Sequence, residues 1–219
     1  MNIRKYSHVI WDWNGTLLDD VAWCIKCINI MLARRGISTL QSLANYHNAF
    51  CFPIIRYYEN VGFNFNSEAF EDVAKEYIAL YHGGKSGNCG LHPNAEATLR
   101  LIHQSGATQI ILSASETDNL LSQISEFNIA HYFDEMLGLS DIYAKSKVDI
   151  GLDYMARKGV DNALLIGDTQ HDYEVAQALG ADCVLVSSGH QSKDALLSCG
   201  VPVLDDISYV SKYISGELS

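Results

Sequence analysis

The chain has 219 residues, is 48% hydrophobic and 19% charged, and carries a formal net charge of -11. That balance supports a substantial core, argues against disorder, and leaves its scattered basic residues no positive face for a nucleic-acid backbone. No stretch reaches the roughly eighteen apolar residues of a membrane span, and the N-terminus lacks a signal-peptide core, so a cytoplasmic monomer or homodimer without membrane or nucleic-acid partners is expected.

In chain order, the apolar run His8–Trp11 predicts a first buried strand, ending on Asp12-Trp13-Asn14-Gly15-Thr16. Almost a hundred residues then separate it from the next strand pattern, far more than one crossover helix needs. This interval predicts helices over Asp20–Arg35, Leu40–Tyr46, Ile54–Val61 and Glu68–Tyr81, and no strand. Cys24 and Cys27 form a C-x-x-C pair inside the first of these helices, where buried thiols are expected rather than a zinc site. Gly83-Gly84-Lys85-Ser86-Gly87-Asn88 reads as the return. A core helix over Asn94–Gln104 follows.

From there strands and helices alternate. Strands are predicted at Gln109–Leu112, Met136–Leu139, Ala163–Ile166 and Cys183–Val186, with helices at Glu116–Phe127, Val148–Lys158 and Tyr173–Leu179. Gly106, Gly159 and Gly180 stand where helix C-termini should fall. The pattern predicts an α/β fold with a doubly wound parallel sheet, formed by residues 1–17 and 89–219, and a small all-helical cap inserted as residues 18–88.

In such sheets ligands bind beyond the carboxyl ends of the strands. Here Asp12 follows the first strand, Ser113-Ala114-Ser115 the second, and Gly167-Asp168-Thr169-Gln170-His171-Asp172 the fourth. An aspartate before Asn-Gly is most often a turn residue. At a strand end its carboxylate is also suited to attack phosphorus, with backbone amides nearby to cradle phosphate oxygens. Asp168 and Asp172 suit the start of a helix through its dipole, but they also suit a hard divalent cation such as Mg²⁺, shared with Asp12 and substrate phosphate. Lys145 or Lys147, flanking the expected N-cap Ser146, would offset phosphoryl charge.

These residues resemble the haloacid dehalogenase superfamily of phosphatases, in particular phosphoglycolate-phosphatase-like members with a helical cap after the first strand. The resemblance implies a Mg²⁺-dependent phosphohydrolase of a small phosphorylated metabolite, with Asp12 as nucleophile, Ser113 binding phosphate, and Asp168 and Asp172 at the metal. It favours Lys147 over Lys145 as the motif lysine, and it places Trp13 and Ala114 beside the substrate. One departure stands out. The family usually carries an acid–base aspartate two residues after the nucleophile, and Asn14 occupies that position. Its backbone carbonyl still suits the metal, but its amide moves no proton.

Activated phosphates, proton supply by another group such as His171, or a catalytically weak binding protein would each accommodate this change. A phosphonatase-like reaction is a further alternative, with Lys26 or Lys75 as the Schiff-base candidate. In the cap, His47, Phe50, Phe52, Arg56 and Tyr57 are specificity candidates. Arg56 is the first choice for gripping a substrate anion, against an ion pair with Glu59.

Overall fold

The computed structural model describes residues 6–84, 86–139 and 146–218. The chain enters through β1 (His8–Trp11) and a short β2 (Leu18–Asp19), then runs through α1 (Val21–Arg34), α2 (Leu43–Ala49), α3 (Ile54–Asn60) and α4 (Phe70–Gly84). It returns along β3 (Gly90–Leu91), followed by α5 (Ala95–Gln104), β4 (Thr108–Glu116), α6 (Thr117–Glu126), β5 (Glu135–Leu139) and α7 (Lys147–Lys158). The remainder alternates as β6 (Ala163–Gly167), α8 (Gln170–Leu179), β7 (Asp182–Val186), α9 (Lys193–Leu197), β8 (Val203–Leu204) and α10 (Val210–Ser215).

Six strands form one parallel sheet in the order β5-β4-β1-β6-β7-β8. Successive strand side chains alternate between its faces. Val9 and Trp11 of β1 pack with Leu99 and Ile102 of α5, Leu120 of α6 and Ile214 of α10. Ile10 faces the other way, onto Tyr154 of α7 and Val175 and Leu179 of α8. Burial on both faces explains why these strands read as continuous apolar runs. After β1 the chain winds toward β5, and after β6 it winds toward β8, so the switch point lies between β1 and β6.

Local chemistry fixes the helix ends that flank it. Ser146 and Asp149 form a capping box at the start of α7, and Thr169 and Asp172 form one at the start of α8. Helices α1–α4 share a core of their own, in which Trp23, Ile28, Tyr58 and Val73 are buried. Cys24 and Cys27 lie in this core as free thiols.

The interval expected to be strand-free contains β2, which pairs antiparallel with β3 through Leu18↔Leu91 and Asp19↔Gly90. Two-residue strands leave no periodicity to read. Strand β4 extends to Glu116 through a register shift after Leu112, so α6 starts at Thr117. The short edge strand β8 adds a sixth member. No helix among the described residues is long and apolar enough to cross a membrane.

Candidate active site

The switch point gathers charge from two strand ends and two helix starts. Asp12 follows β1 and Asp168 follows β6, while Lys147 opens α7 and Asp172 lies in the first turn of α8. The Lys147 ammonium donates to Asp12 Oδ1 and to Asp172 Oδ1, each at 2.6 Å. The Thr16 hydroxyl lies 3.2 Å from Asp12 Oδ2 and 3.0 Å from Asp168 Oδ1. The other oxygen of Asp172 accepts from the Thr169 hydroxyl at 2.6 Å and from the Asp168 and Thr169 amides. Asp172 is thereby locked to the helix start by the same bonds that cap it.

Glycines admit this crowding. Gly15 has φ +76, and a side chain there would overlap the Asp168 carboxylate and the His190 ring. A side chain at Gly189 would also strike Asp168, whose Oδ2 accepts from the His190 amide at 2.6 Å. Burial and the nearby Asp172 push the Asp12 carboxyl up to about 6 against the pull of Lys147. Asp168 is pushed up to about 8 by burial, with repulsion from Asp12 and Asp172 and partial relief from His190. Burial opposes charge on Asp172 too, but Lys147 and Thr169 hold it below the usual carboxylate range.

A second network surrounds Asn14. Its amide nitrogen donates to Asp20 Oδ2 at 2.8 Å and to the Tyr81 hydroxyl at 3.0 Å, and its carbonyl accepts from the Ser115 hydroxyl at 2.9 Å. Tyr81 donates to Asp20 Oδ2 at 2.6 Å, and the Gly15 amide donates to Asp20 Oδ1 at 3.0 Å. His190 pairs with Asp20 through Nε2 at 3.3 Å, while its Nδ1 lies 2.7 Å from the Tyr46 hydroxyl. Burial alone would lower the His190 pKa, but Asp20 outweighs it and raises it to about 9. Burial opposes charge on Asp20 as well, yet His190, Tyr81 and Asn14 hold its carboxyl low. Asn14 is thus the neutral donor to a buried carboxylate six residues ahead.

A cavity of about 620 Å³ opens above this floor. Asp12, Asn14, Lys147, Asp168 and Asp172 line it, as do Ser113, Ala114 and His171. Phe50, Phe52 and Tyr57 of the expected specificity segment line it too. His47 instead contacts the Gly189 carbonyl at 3.1 Å.

The side chains of two expected substrate contacts lie off the cavity wall. The Trp13 side chain is fully buried in the sheet core and donates to Gln123 Oε1 at 2.6 Å, because its place after β1 continues the inward face. The Arg56 side chain is 69% exposed, pairs with Glu59 at 3.1 Å, and is absent from the cavity wall. Its partner is set by the i,i+3 spacing. Neither Lys26 nor Lys75 lines the cavity. Lys145 lies outside the described residues.

Sequence reasoning missed Asp20, Thr16, Tyr81 and His190. Asp20 reads as a helix-start acid, and His190 lies beyond β7 in a loop without a motif. The hint available was Asp20 itself, placed just before α1 and near a strand end.

The floor suits a hard divalent cation. Asp12, Asp168 and Asp172 each offer an oxygen, all within 4.8 Å of one another, and among the described residues the Lys147 ammonium alone bonds to them as a lysine or arginine. Burial first, and repulsion among the three carboxylates second, raise the carboxyls of Asp12 and Asp168.

Residues 9–186 match the family model described as haloacid dehalogenase-like hydrolase. Among curated relatives, the phosphoglycolate phosphatase of Aliivibrio fischeri is 21% identical over 208 residues, covering 90% of this chain and 91% of the relative. That of Neisseria gonorrhoeae is 24% identical over 205 residues, covering 86% and 83%. Among solved structures, a haloacid dehalogenase-like family hydrolase from Streptococcus pneumoniae superposes with a TM-score of 0.83 at 17% identity, over 95% of this chain and 98% of the other. A structure described as a predicted phosphatase from Clostridium acetobutylicum gives 0.81 at 21% identity, over 97% and 99%. With the family model spanning most of the chain, the protein belongs to the haloacid dehalogenase-like hydrolase family.

Proposed function

We propose that this hydrolase is a Mg²⁺-dependent phosphohydrolase acting through a phosphoryl-Asp12 intermediate, with residues 18–88 serving as its cap. The observation that carries this reading is the Asp12 carboxylate at the end of the central strand, 2.6 Å from Lys147 and facing the cavity. Phosphatase names among the curated relatives support it.

Asp12 Oδ2 is the attacking oxygen, since Oδ1 is engaged by Lys147 and Oδ2 meets the Thr16 hydroxyl at the longer 3.2 Å. Attack forms an oxygen–phosphorus bond as the ester oxygen departs, and water then cleaves the acyl phosphate. Lys147 orients Asp12 and offsets charge on the phosphoryl oxygens, while Ser113 and the backbone beyond Asp12 receive them. Asp12, Asp168, the Asn14 backbone carbonyl and Asp172 would hold Mg²⁺, which would supply charge neutralisation and alignment of the phosphoryl group. Asn14 positions rather than transfers protons, because an amide is neither acid nor base here, and it bonds to Asp20, Tyr81 and Ser115. Leaving groups that need little protonation, such as acyl phosphates, should therefore react fastest.

The test is Mg²⁺-dependent phosphate release from acetyl phosphate and p-nitrophenyl phosphate. The reading requires activity in the wild type and a loss on the order of 10⁴-fold or more in Asp12→Asn. Activity that survives that substitution contradicts it. Asn14 favours one second reading, a catalytically weak ligand-binding protein, for which the wild type would be silent on the whole panel while Asn14→Asp gains turnover.

A further inference from the structure

The cavity above the floor is built from aromatic rings. Tyr46 and Phe50 come from α2 and its end, Tyr57 from α3, and Tyr77 and Tyr81 from α4, with Ile78 at the rim. The rings brace one another, Phe50 against Tyr57 at 5.2 Å between centroids and Tyr77 stacked on Tyr81 at 6.1 Å. Phe50 also stacks on His190 at 5.1 Å, which joins the wall to the floor.

Charge is distributed the opposite way. Among the described residues, Lys147 is the cavity's one lysine or arginine, and two aspartates already hold it. Glu116 adds a carboxylate to the lining beside Ser115. A substrate carrying a carboxylate on its leaving group would meet rings and acids there, and the lining cations Lys147 and His190 are already paired with Asp12, Asp172 and Asp20. An uncharged ring would instead exchange water for apolar contact, worth roughly 25 cal/mol per Å². The wall also holds a polar clue. The Tyr57 hydroxyl is buried and has no hydrogen-bond partner among the described residues, a state that costs stability unless a ligand group meets it.

We propose that the site takes phosphate compounds whose leaving group is an uncharged, ring-bearing moiety, and that it discriminates against small carboxylated phosphates. This rests on the phosphohydrolase reading only for what happens to the ligand, not for which ligand binds. The curated relatives are named for phosphoglycolate, so the proposal separates this chain's wall from that substrate.

The experiment uses inert phosphonates so that turnover plays no part. Calorimetry with 3-phenylpropylphosphonate and with phosphonoacetate, each in Mg²⁺ buffer, compares a ring with a carboxylate on the same headgroup. Burial of one phenyl group predicts about 100-fold tighter binding of the phenylpropyl compound, abolished by competing orthophosphate. Ile78→Arg, at a half-exposed rim position that tolerates a long side chain, should narrow this preference by about tenfold. Equal or tighter binding of phosphonoacetate overturns the proposal, as does phenylpropyl binding that orthophosphate leaves untouched. Acetyl phosphate turnover, assayed in parallel, separately decides the phosphohydrolase reading. A protein silent on acetyl phosphate but selective for the ring loses that reading and keeps this one.

Discussion

The strand-end floor of the cavity and the helical wall above it solve different problems with different residues. On the floor, Asp12, Asp168, Asp172 and Lys147 are buried charges whose positions are set by one another at 2.6 to 3.2 Å. On the wall, Tyr46, Phe50 and Tyr57 contact each other as rings, Tyr77 stacks on Tyr81, and no described lysine or arginine joins them. Buried charges are strongly coupled because removing one leaves its partner stranded. Apolar contacts are many and individually small. Single substitutions should therefore act sharply on the floor and gradually on the wall.

Lys147→Met is the harshest way to break this contrast. It strands Asp12 and Asp172, and a loss of about 3–5 kcal/mol is expected in urea denaturation of the metal-free protein. A loss below about 1 kcal/mol would mean that the floor is not electrostatically tied.

Asn14→Asp comes next. It sets two carboxylates 2.8 Å apart beside Asp20, with an expected cost of about 1–3 kcal/mol. Exchanging both residues, Asn14→Asp with Asp20→Asn, restores one donor and one acceptor and should recover most of that loss. If the double variant is as unstable as the sum of its single changes, the pairing is not what holds Asn14.

The pH response sharpens the same point. Asp168 is raised from 3.8 to about 8 and His190 from 6.5 to about 9 in the folded protein. Both bind protons more tightly folded than unfolded, so their shifts favour the fold at lower pH and that stabilisation is lost as pH rises. For Asp168 the window runs from about 4 to 8, and for His190 from about 6.5 to 9. Thermal melts in EDTA should show Tm falling from pH 5 to 8.5, with the Mg²⁺-induced rise largest at the alkaline end. A flat profile, or a Mg²⁺ effect confined to acid pH, contradicts the crowded-carboxylate floor.

Arg56→Ala should do least. Its exposed pair with Glu59 is worth about 0–1 kcal/mol, and phosphate release should stay within about twofold of wild type if the side chain lies off the cavity.

The two regions also differed in how legible they were. The parallel strands announced themselves because burial on both faces makes short apolar runs, and Ser146 marked the start of α7 through its capping pattern. Asp12, Asp168, Asp172 and Lys147 meet because they follow those strands or open those helices. The ribbon of β2 and β3 and the edge strand β8 are too short to show a period. Asp20 and His190 are far apart in sequence, and only folding makes them a pair. The side chains of Trp13 and Arg56 lie off the cavity wall, because proximity in sequence to Asp12, or a cation in an aromatic segment, says nothing of where a side chain points. The wall's aromatic residues were visible one by one, but their shared cavity depends on how α2, α3 and α4 pack.

The central claim is that Asp12 carries the phosphoryl group. Turnover with acetyl phosphate and Mg²⁺, quenched into hydroxylamine and followed by peptide mass mapping, tests it most directly, because an acyl phosphate is captured as a hydroxamate where it formed. The predicted result is a hydroxamate on residue 12 alone, dependent on substrate and missing from Asp12→Asn. Capture at another residue, or steady turnover with no captured residue under the same quench, would contradict the account.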